Sequence, residues 1–234
     1  MKMHPGCEQY SVLAAAAKAG VPIYTSSPGD SSIGMNIAFH ELMNDGHLMI
    51  DPNKDVNEIC AIILAGQKNG AVILGGGSPK NFYLQGQPTL WEVYGIPKGG
   101  NDYFIQITTD QVVWGGLSGA TPAEAVSWGK VNPGVLPDTC VTYCDSTIAF
   151  PLFAEYAVGH ANNRRPLKRL VEKRDALVAA LKAELEKILT SYLGADLVEE
   201  IIESNNLIFS GSGFTFETLD LLNAKLPKCD AILC

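Results

Sequence analysis

One lysine stands apart from the other charged residues of the chain. Lys130 closes the run Glu-Ala-Val-Ser-Trp-Gly-Lys, and Glu124 is the only other charge in that run. An amine is a nucleophile only while it is neutral. The ordinary lysine pKa is about 10.4, and desolvation against an apolar wall lowers it. A neutral lysine amine can add to a carbonyl or an imine and form a Schiff base. Trp128 supplies a candidate wall, and Gly129 allows the chain to turn tightly. Spacing alone also permits the commoner case, a lysine on open surface.

Two loops add chemistry of another kind. In AVILGGGSPKNF a strand-like run enters Gly75-Gly76-Gly77. Glycines at that place permit positive φ and close approach of the backbone to a pyrophosphate; a ligand-free tight turn is the alternative. In YCDST, Asp145 ends a strand and precedes a helix. It suits a helix cap or a bond from a ribose hydroxyl equally well. Asp30, in SSPGDSSIG, holds a similar junction. A third glycine turn, SGSG at 210–213, could present N–H groups to phosphate at a helix start, although it is not a full G-x-G-x-x-G.

These residues are punctuation between regular elements. EQYSVLAAAAKAG predicts a helix closed by Gly20, and VPIYT a short buried strand. IGMNIAFHELMNDG predicts a helix. DPNKDVNEICAIILAGQKNG predicts another, with an Asp N-cap, Pro52 in the first turn and a stop at Gly70. AVIL, YFIQI and CVTYC predict strands, and TIAFPLFAEYAV a helix interrupted or bent at Pro151. Strands alternating with helices imply an α/β fold, with a Rossmann-like, mostly parallel sheet and helices on both faces. Ligands of such sheets bind beyond the carboxyl ends of the strands. That points to loops 26–32, 75–81, 108–120 and 144–147. From Arg164 the texture changes to a long Ala/Leu/Lys/Glu helix with opposite charges three or four apart. The expected domains are therefore 1–163, and 164–234 as a helical extension ending in a strand–turn–helix–strand segment.

Composition excludes several classes. The net charge of −8 argues against a nucleic-acid partner, whose phosphates call for lysine and arginine. No run approaches the ~18 apolar residues of a membrane span, and MKMHPGCEQY lacks the apolar core of a secretory leader. The six cysteines and four histidines show no metal-ligand spacing, so no metal site is expected, and the thiols read as free. A cytoplasmic location follows as the expectation.

SGATPAEAVSWGK, followed by a strand and CDSTIAFPL, resembles the deoxyhypusine synthase family. GDSSIG after VPIY and VILGGG before a helix resemble it too, in the same order and spacing, from about residue 8 to 158. The resemblance implies an NAD-dependent transfer of the butylamine part of spermidine. The transfer would run through an imine on Lys130 to an acceptor amine, either a protein lysine or a small amine, as in homospermidine formation. It implies that Trp128 packs along the polyamine methylenes. Glu124 is a candidate partner for an ammonium, Gly115 belongs to the substrate loop, and Asn81 stands where the family places a catalytic histidine. Gly75, Gly76, Thr109, Asp145, Ser146 and Asp30 match NAD-contacting positions. Oligomerisation, as a homo-tetramer or a hetero-oligomer, is also implied.

Two departures qualify these expectations. Met35 and Leu117 replace carboxylates of the eukaryotic pattern, which removes two anchors for a dication and favours the bacterial, small-amine branch. The family also has a long segment upstream of the helix that opens this chain. Three expectations follow: half of a split enzyme, a non-catalytic paralogue, or a substitute βαβ supplied by residues 206–233.

Overall fold

The structure, a computed structural model, describes residues 9–43, 49–160 and 166–193. The chain divides into two units, Met1–Val178 and Ala179–Cys234. The first contains three strands, β1 (Gly70–Leu74), β2 (Tyr103–Thr108) and β3 (Cys140–Tyr143). They form one parallel sheet in the order β1-β2-β3, with Ala71 opposite Phe104 and Gln106 opposite Val141. This is the mixed α/β, Rossmann-like architecture expected from the alternation of elements.

The helices of this unit are α1 (Val12–Ala19), α2 (Ser32–Met43), α3 (Pro52–Ala65), α4 (Ser78–Pro88), α5 (Pro122–Ser127) and α6 (Ser146–His160). A seventh, α7, covers Leu170–Leu193, and its Lys187–Glu184 and Lys182–Glu186 pairs match the charge spacing of the sequence. Their ends follow local chemistry. Ser11 caps α1 by accepting from the Ala14 N–H, and Gly20 closes it at φ 66°. Asp51 accepts from the N–H groups of Asn53 and Lys54, with Pro52 in the first turn of α3. The missing N–H of proline costs nothing there, because first-turn N–H groups have no partner inside the helix.

Some expectations need correction. VPIYT forms no strand and pairs with none among the described residues, and Val21 and Ile23 are exposed, not buried; short apolar runs do not reveal whether a partner edge lies beside them. α3 stops at Gly66, not Gly70, because the Gly66 N–H already closes onto Ile62 and Ile63 carbonyls. The last residues before Gly70 instead turn into β1, and Asn69 accepts through its carbonyl from the Asp102 N–H. Pro151 lies inside an uninterrupted α6. The SGSG turn and the segment 206–233 lie outside the described residues.

The core that matters for function joins Ile73, Leu84, Phe104, Ala125 and Val131, all buried. It ties β1, α4, β2 and α5 together, and Val131 follows Lys130 directly. Ile73, Leu84, Phe104 and Val131 each contribute about 1.5–3 kcal/mol when fully buried, so the main chain beside the lysine is anchored through Val131 on one side and α5 on the other.

The α5 segment shows how the sequence builds that anchor. Thr121 caps the helix by accepting from the Glu124 N–H at 3.2 Å, with Pro122 in the first turn. At the other end the Gly129 N–H reaches Val126 O at 3.0 Å and the Lys130 N–H reaches Ala125 O at 2.9 Å. This pair of crossed bonds is the Schellman closure, which needs a left-handed residue at the turn. Gly129 supplies it at φ 66°, and a Cβ there would lie 2.7 Å from the Trp91 indole nitrogen. Left-handed backbone costs an L-residue about 1–2 kcal/mol. Gly129→Ala should therefore lower the melting temperature by about 2–8 °C in scanning calorimetry, and an unchanged Tm would reject the requirement for glycine.

Candidate functional site

The Lys130 amine points into a pocket of about 180 Å³ between α4, α5 and the loop after β2. Asn81, Leu117, Glu124 and Trp128 line it together with Lys130 and the buried Lys80. Lys130 Nζ donates to Asn81 Oδ1 at 2.9 Å and stands 5.5 Å from the centre of the Trp128 ring, within cation–π range. Burial holds the Lys130 pKa below the ordinary lysine value, and the Glu124 carboxylate partly opposes that shift by favouring the ammonium.

Lys80, which the sequence reading passed over, is the most buried charge here, at 7% exposed. It is placed by the first turn of α4, directly after the glycine turn. Its ammonium donates to Gln106 Oε1 (3.2 Å), Leu117 O (3.0 Å) and Ala120 O (2.7 Å). A buried ammonium must replace its water shell with protein oxygens, and these three do so. Burial lowers its pKa; the Lys130 charge adds to that, while Glu124 and Asp110 act against it. Gln106 in turn donates to Gly75 O and Ser118 O, both at 2.8 Å, and Ser118 Oγ donates to the Asp110 carboxylate. The available signals were a lone amide within the apolar strand YFIQI and a lone cation ending SPK.

Most of the nucleotide-type residues follow the carboxyl ends of the three parallel strands. Gly75 (φ 74°) and Gly76 (φ 128°) turn the chain at the end of β1. A Cβ at Gly76 would lie 2.7 Å from Gln106 Nε2, whereas Gly75 and Gly77 have open space around theirs. Thr109 and Asp145 follow the carboxyl ends of β2 and β3. Asp145 caps α6, accepting from Thr147 N (2.8 Å) and Thr147 Oγ1 (2.6 Å), and those bonds lower its pKa. Ser146 is the first residue of α6. Asp30 sits on an exposed turn, and that loop is tied to the start of α4 through Ser27–Ser78 (2.7 Å) and Ser78–Ser26 (3.0 Å) hydroxyl contacts.

Asn81, Glu124, Trp128 and Lys130 are thus brought together. Gly115, at φ 69° in an exposed turn, does not line the lysine pocket. Leu117 does line it, at one of the two places where the family pattern has a carboxylate; Met35 is exposed on α2. No group of three or more His, Cys, Asp or Glu among the described residues could hold a metal ion, and no described helix is long and apolar enough to cross a membrane.

Fold and pocket together define an α/β protein with a partly desolvated lysine amine beside a parallel sheet. The sequence profile of deoxyhypusine synthase matches residues 2–157, and the chain belongs to the deoxyhypusine synthase family. It is 53% identical over 194 residues to a deoxyhypusine synthase-like protein of Nostoc punctiforme, covering 81% of this chain and 47% of that protein. A protein of the same description from Thermosynechococcus vestitus is 48% identical over 210 residues, covering 87% and 50%. A probable deoxyhypusine synthase 2 of Methanosarcina acetivorans is 40% identical over 149 residues, covering 64% and 42%. The chain spans about half the length of the curated relatives it matches.

The electrostatics of the pocket have a testable sign. Lys130 should titrate below about 10.4, as read by NMR of the 13C-methylated amine. Glu124→Gln removes the charge that favours the ammonium, so the midpoint should fall further. A midpoint in the ordinary range, or one that rises in the variant, would overturn this arrangement.

Proposed function

We propose that the chain carries the lysine centre of an NAD-dependent aminobutyl transfer from spermidine, or a related polyamine, to an acceptor amine in the cytoplasm. The observation that carries this reading is the half-buried Lys130 amine, held by Asn81 between the Trp128 ring and the Glu124 carboxylate. Family membership supports the transfer chemistry. The free thiols of Cys60, Cys140 and Cys144 suit a reducing compartment.

The glycine turn fits a dinucleotide on local geometry: two left-handed glycines and open space at Gly75 and Gly77 leave the main chain accessible. Gly75, Gly76, Thr109, Asp145, Ser146 and Asp30 would hold NAD, which supplies hydride removal from the donor amine and hydride return to the product imine. The chain's own residues perform the transfer between those events. Unprotonated Lys130 Nζ adds to the carbon of the donor iminium. The bond from that carbon to the departing nitrogen breaks, 1,3-diaminopropane leaves, and the butylamine fragment remains as an imine on Lys130. The acceptor amine adds to the same carbon, and breaking its bond to Lys130 regenerates the free lysine. Burial enlarges the neutral fraction of Lys130 for the first addition, Trp128 covers the methylenes, and Glu124 holds an ammonium end. With Leu117 where a second carboxylate would stand, the pocket suits a small amine as acceptor, with a protein lysine the alternative.

A specific observation favours a second reading, in which the chain acts within a hetero-oligomer or as a non-catalytic subunit. Among the described residues β1 pairs on one side only, and a groove of about 390 Å³ runs along it past exposed Val72 and Leu74. A homo-tetramer remains the alternative assembly.

The test is trapping. With NAD and spermidine present, borohydride should fix a butylamine adduct on Lys130, located by peptide mass, and Lys130→Ala should abolish it. Trapping that persists in Lys130→Ala would reject the nucleophile. Adduct formation only after a family homologue is added would support the second reading.

A further inference from the structure

A lysine side chain is a flexible four-carbon arm, so its amine is placed only as well as its main chain is held. Asn101 is fully buried, at 0% exposed, just before β2. Two of its donors converge on one atom: its N–H reaches Lys130 O at 3.0 Å and its Nδ2 reaches the same oxygen at 2.9 Å. Asn101 O accepts from the Asn132 N–H at 3.1 Å, so the asparagine grips both sides of Val131. Gly100 lets the two segments cross, since a Cβ there would overlap the main chain of Val131 and Asn132.

The side-chain amide is itself oriented. Tyr83 Oη donates to Asn101 Oδ1 at 2.7 Å, its longer contact being to Gly70 O at 3.2 Å. Burial pushes the phenol up to about 12, so it stays a donor throughout the neutral range. With Oδ1 engaged by a hydroxyl, Nδ2 faces a carbonyl that can only accept, and no flipped amide satisfies both contacts.

We infer that Asn101, oriented by Tyr83, is a positioning residue for Lys130, clamping the lysine's carbonyl so that its amine stays in the pocket beside Asn81 and Trp128. This rests on the reading of Lys130 as the nucleophile. Neither residue touches the reacting amine. They act at the lysine's base, and α4 contributes twice, through Tyr83 to the base and through Asn81 to the tip.

The experiment measures reactivity of the full chain without NAD or polyamine. Butanal condenses with a neutral amine, water leaves, and cyanoborohydride reduces the imine to a butyl-lysine that peptide mass locates. In the unaltered protein Lys130 should alkylate faster than surface lysines, with a lowered pH midpoint. Asn101→Ala should slow Lys130 about tenfold, a fraction of the hundredfold that a 1 Å displacement can cost, and move its midpoint up toward the ordinary lysine range as the amine swings into water. Asn101→Asp keeps the volume but loses the Nδ2 donor, and should behave like Asn101→Ala; a merely space-filling role would leave it unchanged. Should either variant fail to fold, Tyr83→Phe gives the same test with the core volume kept, and a smaller shift in the same direction is expected. Lys130 fast in the unaltered protein and equally fast, at the same midpoint, in every folded variant overturns the clamp alone. A slow Lys130 in the unaltered protein overturns the nucleophile and the clamp together.

Discussion

The demand of one buried ammonium for oxygen partners organises this site. Lys80 is withdrawn from water in the first turn of α4, and without replacement ligands its charge would cost several kcal/mol. The oxygens that meet this demand come from the middle of β2 and from two carbonyls of the loop that follows it. That loop therefore folds down over α4, and its residue Leu117 becomes a wall of the lysine pocket. A neutral side chain at position 80 would leave the two carbonyls and the Gln106 amide without a donor, and the pocket would lose its roof.

The second lysine is treated in the opposite way. Lys130 is given a single acceptor, Asn81, an aromatic face and only partial cover. Its positive charge is tolerated but not strongly rewarded, which is the condition under which an amine spends time neutral at ordinary pH. The Lys130 charge in turn lowers the pKa of Lys80, while Glu124 favours the ammonium form of both lysines. The rigidity comes from the main chain: the closure of α5 at Gly129, the core contact of Val131 and the buried amide of Asn101 leave the lysine backbone little room to shift.

Much of this was legible in the sequence because it is local. Asp51 and Pro52 at a helix start, Gly129 at a tight turn and three glycines after an apolar strand each announce a backbone geometry independent of distant contacts. The grouping of Lys130, Trp128, Glu124 and Asn81 came from resemblance, since residue 81 and residue 130 are joined only by folding. Lys80, Gln106, Asn101 and Tyr83 escaped notice for a related reason. Each is an ordinary polar residue until a partner from another segment meets it. The strand expected at VPIYT failed on the same ground: an apolar pentapeptide does not state whether a neighbouring edge will accept it.

Gln106 carries one more consequence. Its single amide group donates to Gly75 O in the glycine turn and to Ser118 O in the loop over the lysine pocket, while its oxygen holds Lys80. The two loops therefore share one side chain, and neither can be rearranged without breaking a bond that belongs to the other. Two ligands, one at the glycine turn and one in the lysine pocket, that each bind better in this bonded arrangement would raise one another's affinity by the same factor. Thermodynamic linkage requires that equality, and here it would be transmitted through one buried glutamine.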